Sequence, residues 1–260
     1  MLLDGKVAIV SGIGPGMGRD ISLAFAREGA DVVLGGRTLS KLQGVAAEVE
    51  ALGRRAHPVV CDIADEDACT AAVNEAAEAL GRVDILVNNA YDGGDATSFL
   101  EADFDRWRQT IEVNLFGSLA MTRAAVPHLE ASGDGRVIMI NTMSTQRIQP
   151  KWGAYAASKG ALATITKTLA MELGPKGIRV NGIHPGYIYG DSVEWYFNHQ
   201  AEKRGITFQE VYDEVASDTC LGYLPDSEEI AGTAVYFASA LAKPVTGQMI
   251  GVNAGHWFNG

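Results

Sequence analysis

Lys6-Val7-Ala8-Ile9-Val10-Ser11-Gly12-Ile13-Gly14-Pro15-Gly16-Met17-Gly18 decides how this chain is read. Residues 6–10 form an apolar run of the kind that makes a strand buried on both faces. Residues 17–28 carry Ile21, Leu23, Ala24 and Phe25 as the apolar stripe of a helix. Between strand and helix, Gly12, Gly14, Gly16 and Gly18 with Pro15 leave little side chain. A backbone so bare can approach a pyrophosphate, and the helix that starts near Met17 offers free N–H groups and the positive end of its dipole. Glycines also serve plain tight turns, and S-adenosylmethionine-type ligands use similar ones, so the turn alone does not name its ligand.

The same alternation continues outward. Residues 31–34, 56–60, 85–87, 136–140, 178–183 and 248–252 read as further strands; residues 39–52, 66–80, 104–129, 153–173 and 227–238 read as helices. Apolar strands alternating with amphipathic helices predict an α/β fold: a single-domain Rossmann-type, doubly wound parallel sheet of about seven strands with helices on both faces. No linker, repeat or low-complexity tract interrupts residues 1–260, so they read as one domain. Ligands of such sheets sit outside the carboxyl ends of the strands, where chemistry-bearing residues are to be sought.

Composition narrows the function classes. The 260 residues are 47% apolar and 20% charged, enough for a core and unlike a disordered chain. Twenty-one Lys and Arg against 32 Asp and Glu leave a net charge of −11. That balance argues against nucleic acid and anionic membranes as partners. Cys61, Cys69 and Cys220 are too few and scattered for a disulfide framework or zinc site, and neither His184 nor His199 has metal-ligand spacing. No apolar run reaches membrane-spanning length, and the start lacks the order of a signal peptide, so a cytoplasmic location is expected.

Two local patterns carry chemistry. After the second strand, an acidic residue would bond the ribose hydroxyls of NAD; the chain instead has Gly35-Gly36-Arg37-Thr38. The guanidinium of Arg37 suits a 2′-phosphate, which points to NADP with NAD as the alternative. Tyr155 and Lys159 stand four apart at the start of a helix and so share a face. A nearby ammonium favours tyrosinate, so Tyr155 is expected to titrate below its ordinary value and to exchange a proton with an alcohol or carbonyl oxygen.

Taken together these motifs resemble the short-chain dehydrogenase/reductase family over nearly the whole chain. Gly12, Gly16 and Gly18 resemble its cofactor turn, which also spans Gly14, Pro15 and Met17; Asp62-Ile63 resembles its adenine contact. Asn88-Asn89-Ala90 is similar to the element in which Asn89 and Ala90 lie near the cofactor and Asn88 is structural. The resemblance makes Asn114, in Val113-Asn114-Leu115, the asparagine that holds a water in a proton relay, and Tyr155 with Lys159 the catalytic pair that also binds cofactor. Pro185-Gly186 resembles the turn in which Ile188 touches the carboxamide, and Val245-Thr246-Gly247-Gln248 the C-terminal element. The family's reaction interconverts a secondary alcohol and a ketone by hydride transfer to or from a nicotinamide, with Tyr moving the proton.

The chain departs from the family at three places. The residue 13 before Tyr155 is Thr142 rather than Ser; Thr142 is the expected hydroxyl donor and Ser144 its alternative. Tyr91 replaces the glycine after Ala90, and Gly190 stands where Thr is usual, with Ser192 nearby. Residues at about 187–225 match the family's variable substrate lid. Their aromatics, with Tyr91 and Trp152, point to a fairly large, apolar substrate touching Ser144, Tyr91, Trp152, Tyr187 and Trp195, although packing accounts for many of them. The aromatic end at Trp257 and Phe258 and the helices near 104–129 and 153–173 resemble the contacts of a homotetramer. An NADP-preferring alcohol dehydrogenase or ketoreductase is the leading expectation. The alternatives are a 3-oxoacyl carrier-protein reductase, a hydroxysteroid dehydrogenase, and a nucleotide-sensing binder with impaired catalysis.

Overall fold

The structure, a computed structural model, describes residues 1–258. Its strands are β1 (Val7–Ser11), β2 (Asp31–Gly36), β3 (Ala56–Val60), β4 (Ile85–Asn88), β5 (Gly135–Ile140), β6 (Ile178–Pro185) and β7 (Met249–Val252). All pair in parallel in the order β3-β2-β1-β4-β5-β6-β7. Side chains alternate across the pleat, so each apolar strand feeds two cores. Ala8, Val10, Val32, Leu34, Ile85 and Val87 bury one way; Val7, Ile9, Val33, Leu86, Val137 and Met139 bury the other. The first core is closed by α1 (Met17–Arg27), α2 (Leu39–Ala51) and α9 (Ser227–Ala238). The second is closed by α3 (Glu66–Leu80), α5 (Ser118–Ala131) and α6 (Gly153–Leu173).

Local chemistry sets the helix ends. Asp65 begins α3 by accepting from the Ala68 N–H at 3.0 Å, and Gly81 ends it in the left-handed conformation. Asp226 and Glu229 form a reciprocal capping box at α9. At α1 the cap position is Gly16 and no side chain takes the first amides.

The sheet order creates the site. Between β1 and β4 the chain departs in opposite directions, so the turn after β1 and the Asn88-Asn89 segment after β4 face each other at the switch point.

Two stretches differ from expectation. The helix expected over residues 104–129 runs unbroken but changes its winding. α4 (Phe104–Ile111) passes through a π-helical segment, Glu112–Gly117, before α5. The wider turn buries Asn114 and lays Gly117 against Ile63, where an added Cβ would lie 2.8 Å from the Ile63 carbonyl oxygen. Residues 187–225 contain α7 (Asp191–Arg204) and α8 (Phe208–Ser217), which the sequence pattern did not mark. They pack on a small core of their own around the fully buried Phe197, with Ala201, Val211 and Leu224. Among the described residues no helix is long and apolar enough to cross a membrane, and no group of His, Cys, Asp and Glu is placed to hold a metal ion.

Candidate active site

A cleft of about 800 Å3 opens at the carboxyl ends of β1, β2 and β4. It runs from Gly12, Arg37 and Lys41 past Asp62 and Ile63 to Asn89, Ala90 and Tyr91. The glycines of the first turn serve it in two ways. Gly12, at φ +84°, and Gly18 are packing positions: an added Cβ would lie 2.3 Å from the Ala90 Cα and 2.4 Å from the Gly12 carbonyl oxygen respectively. At Gly14 and Gly16 an added Cβ would meet nothing within 4 Å, so their bareness keeps space free. Asn89 locks the turn from the far side, its Nδ2 donating to the Gly12 carbonyl at 2.7 Å. Amide donors at an uncapped helix start, reached without side chains in the way, are what a pyrophosphate requires, and the cradle fits one.

At the other end of the cleft, Arg37 is exposed and forms no ion pair among the described residues, and Lys41 lines the wall beside it. The Asp62 carboxylate accepts from the Ala64 N–H at 3.1 Å, shaping the turn after β3. Pro185, Gly186 and Ile188 lie outside the lining of this cleft. Pro185 closes β6, Gly186 abuts Asn253, and Ile188 packs on the first core.

Beyond Tyr91 stand the proton-handling candidates. The Tyr155 ring is flanked edge-on by Tyr91, centroids 6.3 Å apart, and by Trp152 at 6.2 Å. The Thr142 hydroxyl lies near that of Tyr155 and favours its ionised form. Thr142 Oγ1 also donates to Ser144 Oγ at 3.2 Å and accepts from the Ser144 N–H at 3.2 Å. The two expected hydroxyls, Thr142 and Ser144, are thus bonded to each other. Lys159 is buried, and its Nζ donates to the Ile140 carbonyl at 2.8 Å.

The expected lowering of Tyr155 is not what the folded chain shows. Burial pushes its pKa up to about 12, and the Thr142 hydroxyl offsets only part of that. Burial also pushes Lys159 down to about 7, so its ammonium gives Tyr155 little help before a ligand arrives. Tyr155 is thus held protonated at neutral pH.

Asn114 is engaged at both ends. Its Oδ1 accepts from the Asp92 N–H at 2.7 Å, and its Nδ2 donates to the Asp92 carbonyl and to Ser158 Oγ, each at 2.9 Å. It ties the segment after Tyr91 to α6. Asn88 is turned inward, its Nδ2 donating to Thr122 Oγ1 at 2.9 Å. Tyr187 stacks on His256, centroids 5.7 Å apart, and accepts from Gln149 Nε2 at 3.4 Å. Trp195 stacks on His199 and makes no ring contact with Tyr91, Trp152 or Tyr155.

A family model described as enoyl-(acyl carrier protein) reductase matches residues 12–256. The chain belongs to the short-chain dehydrogenase/reductase family. It is an oxidoreductase that acts on CH–OH groups. It is similar to the 7alpha-hydroxysteroid dehydrogenase of Escherichia coli (strain K12), 34% identical over 97% of this chain and 94% of that one. Among solved structures, an NAD+-bound xylitol dehydrogenase superposes with a TM-score of 0.91 at 27% identity, covering 98% of this chain and 100% of that one. A 7 alpha-hydroxysteroid dehydrogenase complexed with NADH and 7-oxo glycochenodeoxycholic acid gives 0.88 at 34% identity, covering 97% and 94%.

Around the family's site, sequence reasoning passed over several residues. Arg106 forms a two-pronged pair with the Asp92 carboxylate and holds it well below the usual range; the charge of Arg37 adds to this. Asn141 and Thr145 brace Thr142, and the Thr145 hydroxyl meets His184 Nδ1 at 3.3 Å. Asn141, directly after an apolar strand, was the one with a visible signal, because strand ends are where ligands bind. Nothing local marks Arg106 as the partner of Asp92.

Proposed function

We propose that the protein interconverts a ketone and a secondary alcohol with NADP(H), on substrates that are fairly large and apolar. The observation that carries the reading is the placement of Tyr155, edge-on between Tyr91 and Trp152 beyond the Tyr91 end of the cleft, one helical turn before the buried Lys159. Gly12, Gly14, Gly16 and the first amides of α1 hold the pyrophosphate, and Asn89 and Ala90 floor the cleft toward the nicotinamide. Arg37, with Lys41 beside it, takes the 2′-phosphate. The bound nicotinamide supplies or accepts the hydride. Thr142 orients the substrate oxygen by hydrogen bonding, and Tyr155 Oη donates its proton to that oxygen in reduction. Lys159, one turn along α6, would hold the ribose of the bound dinucleotide, and its charge would favour the tyrosinate left behind. Asp62 and Ile63, in the cleft wall, would flank the adenine; the carboxamide contact that the family resemblance implies for Pro185, Gly186 and Ile188 would need them to turn toward a cleft they do not line.

The exposed edges of Tyr91 and Trp152 on either side of Tyr155 suit a flat, apolar ketone better than a thin acyl chain. The 187–225 segment is the lid over it. The likeness to a hydroxysteroid dehydrogenase that binds NADH and a 7-oxo bile acid supports the substrate class and leaves NAD as the competing cofactor. We also infer a homotetramer, whose subunits cover the exposed Phe99, Leu100, Phe104 and Phe116 near α4 and α5 and Met171 on α6.

The test is NADPH oxidation in the presence of a 7-oxo bile acid, a cyclic monoterpene ketone and an acetoacetyl thioester. The expected result is turnover of the cyclic ketones in preference to the thioester. Preference for the thioester would move the assignment to acyl reduction, and no turnover of any with either dinucleotide would defeat it.

A further inference from the structure

The last residues of β5 and the one that follows each reach toward α6. The Ile140 carbonyl accepts from Lys159 Nζ at 2.8 Å. Asn141 Nδ2 donates to the Lys159 carbonyl at 3.1 Å, while its Oδ1 accepts from the Thr142 N–H at 2.9 Å. The Thr142 hydroxyl lies near that of Tyr155. Asn141 is 3% exposed, and its own N–H extends the ladder to the Ile183 carbonyl at 2.8 Å. That bond to β6 fixes its backbone, so its side chain is a short bracket.

We propose that Asn141 is a positioning residue that sets the spacing between the Thr142 hydroxyl and the Lys159 ammonium, a role that rests on reading those groups as the reductase's machinery. A carboxamide suits the place because it presents one donor and one acceptor back to back. An ionised carboxylate has no donor for the Lys159 carbonyl, and an aliphatic chain leaves the buried Thr142 N–H unpaired and strips the Lys159 carbonyl of its bond from outside the helix, which is costly. Without the bracket, the end of β5 and α6 separate enough for water to reach Lys159. His184 on β6 faces that ammonium and also feels Lys167, and Tyr155 lies one turn before it on α6.

The test uses Asn141→Leu and Asn141→Asp beside the wild type, with two readouts. In protein carrying 13C at lysine Cε, with Lys159 assigned through Lys159→Met, the wild-type group is expected to titrate near 7. In Asn141→Leu its midpoint rises by at least about one unit as hydration returns. With NADPH and a 7-oxo bile acid, Asn141→Leu loses kcat by about tenfold or more while the Kd for NADPH stays within about threefold. Asn141→Asp adds a signature that a general packing role lacks. Its neutral carboxyl both accepts from the Thr142 N–H and donates to the Lys159 carbonyl. Its deficit in kcat against wild type therefore shrinks as pH falls from about 8 to about 5.5. If Asn141→Leu does not fold, Asn141→Asp, of the same volume, carries the test. An unmoved Lys159 midpoint, or a deficit that does not depend on pH, overturns the proposal. If the wild type reduces no ketone, the functional reading fails, and the lysine titration still decides whether Asn141 holds Lys159.

Discussion

Around residues 12–18 the structure is made by backbone, and around Phe197 it is made by side chains. In the first region an added methyl at Gly12 or Gly18 would sit inside a neighbour's radius, the turn is locked by the Asn89 amide, and α1 starts with its amides open. In the second, two helices with little in common with the sheet gather Tyr187, Tyr189, Phe208 and Tyr212 around one buried phenyl ring. A site built from backbone is indifferent to most side-chain changes but intolerant of any change at its glycines. A site built from aromatic packing can be re-cut residue by residue. The first kind suits a constant ligand such as a dinucleotide, and the second suits a substrate that varies.

Substitutions can break this contrast. The largest effect is expected at Tyr155, between the two regions. Tyr155→Phe should lower turnover by about 10²–10⁴-fold with the NADPH Kd unchanged, since only a proton-transfer group is lost; a steady-state assay with a fluorescence titration checks it. Phe197→Ala should cost the lid core about 3–5 kcal/mol. Its two helices would then become sensitive to limited proteolysis, and KM for ketone would rise, while the sheet's melting and the NADPH Kd hold. Loss of cofactor binding in that variant would show that the regions are not separable. Arg37→Ala should weaken NADPH by about tenfold to a hundredfold, the worth of a charge-assisted hydrogen bond, and leave NADH untouched.

A smaller effect sharpens the contrast by pH. Lys159 is depressed from 10.5 to about 7 in the folded chain, so between those values the unfolded chain binds more protons. The wild type should therefore gain stability as pH rises through that window. Lys159→Met, which never buries the charge, should melt a few degrees higher than wild type near pH 6, and that advantage should fade toward pH 10. A gap that widens with pH would mean that Lys159 is solvated when folded.

The contrast also explains what was legible in the sequence. Strands β1 to β6 and helices α1, α2, α3, α6 and α9 follow from apolar period, and each fell within two residues at either end because each packs on one sheet. The π-helical winding at Glu112–Gly117 did not show, because an added residue in a helix leaves the apolar pattern nearly intact while re-aiming Asn114. The direction of the Tyr155 shift was misjudged for a related reason. The i, i+4 spacing places Lys159 near, but how far each group is desolvated is set by the strands and loops packed over α6. The stacking of the exposed Trp195 on His199, one turn along α7, is visible only once that helix is folded.

All of this stands on one claim, that the backbone-built end of the cleft binds NADP(H). Titration of the wild-type protein with NADPH and with NADH, followed by quenching of its intrinsic fluorescence, tests it directly. NADPH binding at least about tenfold tighter than NADH is the predicted result, from the unpaired Arg37 and the missing carboxylate after β2. Equal or tighter binding of NADH would make Arg37 a solvated loop residue and contradict the cofactor assignment, and no binding of either would contradict the account as a whole.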